Sequence, residues 1–347
     1  MLPVALPRPG VRRAAFLGRS LGTLVLTLLG LLLVTFALAH LSPIDPALRL
    51  VGDHASASSY ADARRTLGLD RPLPVQFVAY VSAMVRGDFG LSWSTGQPVG
   101  ADLARVVPAT IELATCSIVL GAAAGLLLGF VAALYPRGLT DGVVRIVSLI
   151  GYSTPIFWLG LLMLLLFYAR LHWTAGPGRQ DVAFQYAIEP RTGFATLDTI
   201  LAGDWDAFND VLAHLALPVT VLAFNAMAGI SRLTRAAVLG QLGLDYVVAA
   251  QAKGAGPRRI ILVHVLPNVV GTLITVVALA FAGLLEGAVL TETVFAWPGL
   301  GRYLTTALFA ADVPAILGGT LVVGLSYVLV NLATDALVAA LDPRVRA

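Results

Sequence analysis

The sequence is short of charged residues. Only 12% of its 347 residues are Asp, Glu, Lys or Arg, about half the share found in an average soluble domain, whereas 58% are hydrophobic. This composition excludes an ordinary soluble protein and indicates an integral membrane protein. The formal net charge of +3 is small, and basic and aromatic residues form no surface stripe. No nucleic-acid partner is therefore expected.

Residue types that carry chemistry are also scarce. The single cysteine, Cys116, lies in an apolar run, so it can form neither an intrachain disulfide nor a thiolate metal site and is interpreted as a packing residue. Five histidines are scattered without the close spacing of a metal site: His40, His54, His172, His214 and His264. Possible nucleophiles such as Ser153 and Ser326 have no histidine partner. The sequence predicts no catalytic site, no metal site and no intramembrane hydrolase.

Long apolar runs predict an all-α polytopic membrane protein, because about 20 apolar residues span the hydrocarbon core as a helix. Six spans are predicted, over residues 21–40, 113–134, 146–169, 211–230, 269–290 and 315–339. The first run is too long for a signal peptide and lacks a convincing cleavage site, so it is interpreted as an uncleaved span. In the second span, Gly121, Gly125 and Gly129 predict close helix contact. In the third, Ser153-Thr154-Pro155 predicts a kink.

The distribution of Arg and Lys predicts the orientation of these spans. Basic residues concentrate in the tail 1–20, the connection between the second and third spans, the 245–268 segment and the C-terminal tail. Both termini and residues 245–268 are therefore expected in the cytoplasm. The segments outside would be 41–112, with short helices, the acidic loop 170–210, and 291–314.

The most informative polar segment is DYVVAAQAKGAGPRRIILVHVLPN, Asp245 to Asn268. Its first part predicts a short helix to Lys253, with Tyr246, Val247 and Ala250 sharing a side. Gly254 then predicts a stop with positive φ. Pro257 suits the first turn of a second helix, which Pro267 is expected to break before the next span.

This segment resembles the EAA loop of ABC importer permeases, through Val248-Ala249-Ala250, then Gly254, then Leu266-Pro267. The likeness extends to the dipeptide, oligopeptide and nickel group of that superfamily. The stretches that carry it are LGLDRPLPVQF (Leu67 to Phe77), RGDFGLSW (Arg86 to Trp93), PATIELA (Pro108 to Ala114), TVFAWPGLGRYL (Thr293 to Leu304) and LDPRVR (Leu341 to Arg346). Two positions depart from the general pattern: Val248 replaces the glutamate and His264 replaces an isoleucine.

The resemblance implies a type I ABC importer permease fold with a core at about 107–341, in a bacterial inner membrane. It implies a second permease, two ATPase subunits and an external binding protein as partners. This chain would need no cofactor; ATP and Mg²⁺ would belong to the ATPases, and the chain itself lacks a GxxxxGK[ST] sequence. The residues expected to couple to the ATPases are Asp245, Tyr246, Ala249, Ala250, Lys253, Gly254, Arg258, Arg259, His264 and Pro267.

Three polar residues within spans are candidates for the transport pathway, because buried charge in a membrane is costly. Asn225 is expected to bond another helix. Asp335 fits a helix–helix hydrogen bond better than a substrate contact. Glu286 lies about 26 Å along its span, at 1.5 Å per residue, where it either lines an outer vestibule or extends to the interface.

An ion-coupled secondary transporter or channel is the alternative from another class. It would need paired charges near the bilayer middle and, often, an inverted repeat. Glu286 and Asp335 lie near opposite ends of their spans, and no repeat is evident, so the importer permease is favoured.

The predicted orientation can be tested with single cysteines in a Cys116→Ala background. Ser56→Cys and Asp204→Cys should react with a membrane-impermeant thiol reagent added to intact cells, because both positions are expected outside. Gln251→Cys should react only after the cells are opened. Labelling of Gln251→Cys in intact cells would overturn the six-span arrangement.

Overall fold

The computed structural model describes residues 9–41, 45–52, 54–185 and 188–341. In this part of the chain the regular secondary structure is helical, apart from one isolated antiparallel bridge between Leu91 and Pro98. The helices are α1 (Pro9–Leu41), α2 (Pro46–Val51), α3 (Ala57–Thr66), α4 (Leu73–Val85), α5 (Val99–Leu134), α6 (Leu139–Ser153), α7 (Ile156–Met163), α8 (Ala195–Ala202), α9 (Trp205–Leu242), α10 (Asp245–Ala252), α11 (Pro257–Arg259), α12 (Leu266–Val294), α13 (Leu300–Phe309) and α14 (Val313–Leu341). Two π-helical segments, Leu164–Arg170 and Ile260–Val265, continue α7 and join α11 to α12.

Five helices are long and apolar enough to cross a membrane. They are α1, α5, α9, the continuous helix that begins at Pro257, and α14. The pair α6 and α7, with its π-helical extension, makes a sixth span if it is counted as one broken span. These counts refer to the described residues. The predicted all-α polytopic fold is confirmed.

The chain divides into two units, and unit 1 comprises Met1–Asp102 and Ala307–Leu332. Within it, α1 packs on α4 through one stripe: Thr35 bonds the Tyr80 hydroxyl at 3.1 Å, and the rings of Phe36 and Phe77 meet edge to face. His40 bonds Gln76 at 3.0 Å on the next turn. Most other large side chains of α1 are exposed, which is the pattern of a helix that faces lipid.

A buried carboxylate anchors the loop before α5 to the start of α14 in unit 1. Asp312 accepts hydrogen bonds from the hydroxyl of Ser92 at 2.6 Å and from the hydroxyl and amide of Ser94 at 2.8 and 2.9 Å. Its other oxygen caps α14 by accepting from the Ala315 amide. Burial alone would raise the pKa of Asp312, but these hydrogen bonds outweigh it and lower the pKa below its usual value. The RGDFGLSW stretch is therefore held by a charge that persists at neutral pH.

Unit 2 comprises Leu103–Thr306 and Ala333–Ala347, and α9 contacts α6, α7, α8 and α12 within it. Its glycine ridge behaves as the sequence predicts. A Cβ at Gly121, Gly125 or Gly129 would lie 2.6 to 2.8 Å from atoms of Ala223, Ile230 or Thr234 on α9. Because these three glycines have no side chain, the backbones of α5 and α9 can approach each other closely.

The break between α6 and α7 is sharper than the predicted kink. The two helices meet at 99°, with Thr154 and Pro155 between them. The proline is the N-terminal cap of α7 and disfavours helical geometry at Thr154, so the chain stops one helix and starts another. Gly160 on α7 then packs against Phe295 and Val294. The single kinked span expected over 146–169 is two helices in the structure.

The helices extend beyond the predicted spans because a helix continues past the apolar run until a cap or a break ends it. Residues 9–20 of the predicted tail belong to α1, and residues 1–8 and 342–347 lie outside the described residues. The predicted outer segment 41–112 ends within α5, whose first turns bury Val99, Leu103 and Val106. Residues 99–107 of that predicted segment are thus the beginning of α5. Pro108 lies inside this helix without ending it.

Gly129→Ala should destabilise the protein, because the new methyl carbon would lie 2.6 Å from the Thr234 Cβ and 2.7 Å from the Ser231 carbonyl oxygen. Overpacking of this kind costs about 1–3 kcal/mol. The midpoint of thermal unfolding in detergent should fall. Gly229→Ala on α9 is the matched control, since nothing lies within 4 Å of its Cβ position, and equal midpoints for the two variants would contradict the close packing.

Candidate functional site

The 245–268 segment forms a short helix, a tight glycine stop and a second helix. Lys253 ends α10, and Gly254 has φ of +81°, as the sequence predicts. The Gly254 amide donates to the Gln251 carbonyl at 2.9 Å, and the Ala255 amide donates to the Ala250 carbonyl at 3.0 Å. Pro257 begins α11. The two hydrogen bonds satisfy the carbonyls at the end of α10.

One side of this segment is buried in unit 2. Val247, Ile260 and Val265 join a hydrophobic cluster with Ala133, Val238, Val269 and Leu273, which come from α5, α9 and α12. Ala250 is also buried, with 8% of its surface exposed, and is therefore not available at the surface.

The other side is open. The exposed residues among those predicted to couple are Asp245, Ala249, Lys253, Gly254, Arg258, Arg259 and Pro267, and half-buried positions are Tyr246 and His264. The Tyr246 hydroxyl donates to the Gln241 side chain at 2.8 Å. Val248 is 54% exposed beside Ala249. The segment thus presents a small-residue surface with basic residues at its far end.

Pro267 does not break the helix. Ile260–Val265 is π-helical, and the Leu266 amide donates to the Ile261 carbonyl five residues back. Pro267 is the second residue of α12 and follows this wide turn directly, so its ring meets π-helical and not α-helical backbone. The chain therefore runs as one continuous helix from Pro257 to Val294.

The three pathway candidates do not form one cluster. The Asn225 amide donates to the Gly151 carbonyl of α6 at 3.4 Å, next to the break between α6 and α7, which agrees with its expected bond to another helix. Asp335 is exposed on α14, and its expected helix–helix hydrogen bond is absent from the described part of the chain. Glu286 lies on α12, with its side chain outside the described residues.

A buried ion pair ties the 170–210 segment to α5. Glu112, whose side chain is 2% exposed, accepts from the Nε and Nη2 of Arg179, the shorter contact being 2.5 Å. Its other oxygen accepts from the amide and hydroxyl of Thr196, both at 2.7 Å. Arg179 also donates to the Gly193 carbonyl at 2.8 Å. Both oxygens of the Glu112 carboxylate thus accept hydrogen bonds, as a buried charge requires.

A second buried carboxylate, that of Glu292, is bonded to the same part of α5. Glu292 of α12 accepts from the Thr110 hydroxyl at 2.6 Å and from the Arg302 amide at 3.0 Å. Gly299 leaves room for it, because a Cβ there would collide with its carboxylate, whereas a Cβ at Gly301 would collide with Val289 and lie 3.0 Å from the Glu292 Oε2. The fully buried Trp297 donates to the Ala109 carbonyl at 2.9 Å. The PATIELA and TVFAWPGLGRYL stretches therefore meet in one polar network.

A third carboxylate, that of Asp198, forms hydrogen bonds within the 170–210 segment. Asp198 accepts from the hydroxyl and amide of Thr192 at 2.7 and 2.8 Å and from the Gly193 amide at 3.0 Å. Burial alone would raise the pKa of Asp198, but these bonds lower it below its usual value. A depressed pKa means that this carboxylate stabilises the fold when ionised, and that the contribution is lost only as pH falls through the lowered pKa.

Sequence reasoning missed these networks. The signal available was Glu112 within an apolar run and Arg179 in a distant loop, but nothing in the sequence pairs residues that are 67 positions apart. Along α5, Glu112 and Ala133 are separated by about 32 Å at 1.5 Å per residue. The carboxylate networks and the 245–268 segment therefore lie at opposite ends of unit 2.

Several apolar spanning helices, polar networks at one end and an exposed helical segment at the other describe a polytopic membrane protein. A family model, the binding-protein-dependent transport system inner membrane component, matches residues 125–347, and its N-terminal companion model matches residues 14–114. The chain belongs to this family of ABC permeases. It is a transport subunit and not an enzyme.

Similar proteins extend over nearly the whole chain. The probable D,D-dipeptide transport system permease protein DdpB of Escherichia coli K12 is 44% identical, across 93% of this chain and 94% of the relative. The di/tripeptide transport system permease protein DppB of Pseudomonas aeruginosa is 42% identical, across 96% and 98%. The inward-facing MetNI methionine ABC transporter shares the fold, with a TM-score of 0.52 and 19% identity, across 69% of this chain and 96% of that chain.

Glu112→Ala should release the 170–210 segment, because removing one partner of a buried pair leaves Arg179 uncompensated and costs about 3–5 kcal/mol. Tryptic cleavage after Arg179, followed by mass spectrometry, should become faster. Glu189→Ala, at an exposed position of the same loop, is the control and should leave the rate unchanged. Unchanged cleavage in Glu112→Ala would show that the ion pair does not hold the loop.

Proposed function

We propose that this protein is the permease subunit of an ATP-driven bacterial importer for dipeptides, oligopeptides or related small solutes. It would pair with a second permease, two ATPase subunits that bind ATP and Mg²⁺, and an external binding protein. Both termini and the 245–268 segment would lie in the cytoplasm of a cell whose inner membrane the chain spans. Family membership and peptide-permease relatives at 42 to 44% identity support this function.

The 245–268 segment is the proposed ATPase-coupling surface. Its exposed side is formed by Ala249, Gly254 and neighbouring small residues, which admit close approach of a partner. Lys253, Arg258 and Arg259 supply positive charge for acidic partner groups. Its buried side includes Val247, which packs in the hydrophobic cluster beneath it, and the buried Ala250.

The same geometry supports alternating access. A push on α10 and α11 would pass through the shared hydrophobic cluster to α5 and α9, and along the continuous helix to α12. Packed helices move as rigid elements, so a small shift at one end becomes a rearrangement of the other. The networks of Glu112 and Glu292 would resist deformation at that far end.

Peptides are the proposed substrate class because the relatives named above are dipeptide and di/tripeptide permeases. In the described residues the candidate pathway groups are few, with Asn225 bonded to a backbone carbonyl. Selectivity among peptides would therefore rest largely on the external binding protein. Glu286 remains a candidate for the outer vestibule.

Gly254→Val tests the coupling surface. The φ of +81° strains any residue with a β-carbon by about 1 kcal/mol or more. Nothing of this chain lies within 4 Å of the new Cβ, so the remaining effect falls on a docked partner. Uptake and binding-protein-stimulated ATP hydrolysis should fall together. Docking can be followed with an amine-reactive cross-linker, because Lys253 is the only lysine in the chain.

Gly283→Val is the matched control, since its Cβ position is also free within 4 Å and its φ is not positive. It should retain cross-linking from Lys253 to the ATPase and normal co-purification. Lys253→Arg keeps the charge and should remove the lysine cross-link without removing uptake. Full ATPase binding and full uptake by Gly254→Val would remove the segment from the coupling mechanism.

A further inference from the structure

A basic pocket of about 590 Å³ lies between α6 and α9 in unit 2. Its polar lining consists of Arg145, Ser148, Tyr152, Ser231, Arg232 and Arg235. On α6, positions 145, 148 and 152 recur at helical spacing and so share one face. On α9, positions 231, 232 and 235 face them.

The floor of the pocket is closed by paired hydroxyls. Ser148 and Ser231 are both buried, and their oxygens are 2.8 Å apart. Ser231 also donates to the Ala228 carbonyl at 3.2 Å. The hydroxyls thus join α6 to α9, and recognition of a ligand falls to the arginines.

The pocket carries an excess of positive charge. Arg235 is committed to Asp141, with Nε and Nη2 at 2.6 and 2.8 Å from the two carboxylate oxygens. Arg145 and Arg232 have no carboxylate partner within 4 Å among residues 9–41, 45–52, 54–185 and 188–341. One acidic group therefore faces three guanidinium groups.

Two of these guanidinium groups are held in place before any ligand binds. The bidentate bond to Asp141 fixes Arg235, and Arg232 stacks over the Tyr152 ring with 4.6 Å to the centroid. A planar guanidinium that is already oriented loses little conformational freedom when it bonds an oxyanion. Arg235 keeps only the N–H donors that Asp141 does not use, so the oriented fork of Arg232, with Arg145 across from it on α6, is what bonds the tetrahedral oxygens of a phosphate.

We propose that this pocket binds the phosphate headgroup of an anionic phospholipid. Charged residues accumulate at this end of α6 and α9, which is expected where a spanning helix leaves the hydrocarbon. Ile146 and Leu149 lie beside Arg145 on α6 and are 60% and 66% exposed. Their side chains provide an apolar surface for the first carbons of an acyl chain. A basic pocket between spanning helices is a recognised setting for anionic lipid.

The combination of charge and exposed apolar residues favours lipid over free phosphate. Inorganic phosphate would gain the arginine contacts but would leave Ile146 and Leu149 uncovered. An acidic segment of a partner protein would use the same charges, and this outcome is distinguished below. The inference does not depend on the coupling surface, because lipid retention is measured without transport or ATP hydrolysis.

The test uses the full chain purified in mild detergent together with any subunits that accompany it. Native mass spectrometry would follow binding of added phosphatidylglycerol, with phosphatidylcholine as the zwitterionic comparison. Arg145→Gln with Arg232→Gln should weaken phosphatidylglycerol binding about tenfold or more. Arg170→Gln, at an exposed arginine outside the pocket, is the matched control and should bind as the unchanged protein does. Arg145→Lys with Arg232→Lys keeps the charge and should bind with intermediate affinity, which also verifies folding.

Three results would overturn the proposal. Equal phosphatidylglycerol binding by the unchanged protein and the double glutamine variant would place the lipid elsewhere. Displacement of the lipid by millimolar inorganic phosphate would make free phosphate the ligand. Loss of an accompanying subunit with unchanged lipid binding would assign the arginines to an acidic protein partner.

Discussion

A carboxylate removed from water is stable only where hydrogen bonds replace the water, and Glu112 meets this condition with one arginine and one threonine. Its partners come from a loop that is distant in sequence, so the ion pair closes that loop over the first turns of α5 within unit 2. Around it, Trp297 and Thr110 bring the segment after α12 to the same helix. The cation of Arg179 lies 5.7 Å from the Trp297 ring centre, so the two networks share a boundary. Directional bonds between buried groups therefore fix the geometry of this end of unit 2.

At the opposite end of unit 2 the 245–268 segment rests on a hydrophobic cluster, and three residues from Val238 of that cluster the buried pair of Asp141 and Arg235 joins α6 to α9. Val247, Ile260 and Val265 contact α5, α9 and α12 by packing alone. Packing of this kind is non-directional and adapts to small shifts, whereas a bidentate ion pair has one good geometry. Unit 2 therefore holds the 170–210 segment by directional bonds, whereas it holds the 245–268 segment by hydrophobic contact.

The fold was largely predictable because its main determinants are local in sequence. Apolar runs identify the spans, glycines at 121, 125 and 129 identify the face that meets α9, and Gly254 identifies a stop with positive φ. Two local predictions were wrong in geometry. Thr154 and Pro155 separate two helices that meet at 99°, a sharper change of direction than a kink, and Pro267 is accommodated because the preceding turn is π-helical. The Glu112 network depends on tertiary placement of Arg179 and Thr196, which no local pattern encodes.

The π-helical segment Ile260–Val265 sets how far α11 is rotated about the helix axis relative to α12. A π-helical turn holds about one more residue than an α-helical turn, and one residue corresponds to about 100° around the axis. The faces of α11 are therefore offset from those of α12 by roughly that angle. Arg258 and Arg259 point where they do because of this one-residue phase shift, and a relative with an uninterrupted α-helix here would present a different side of α11 to its surroundings.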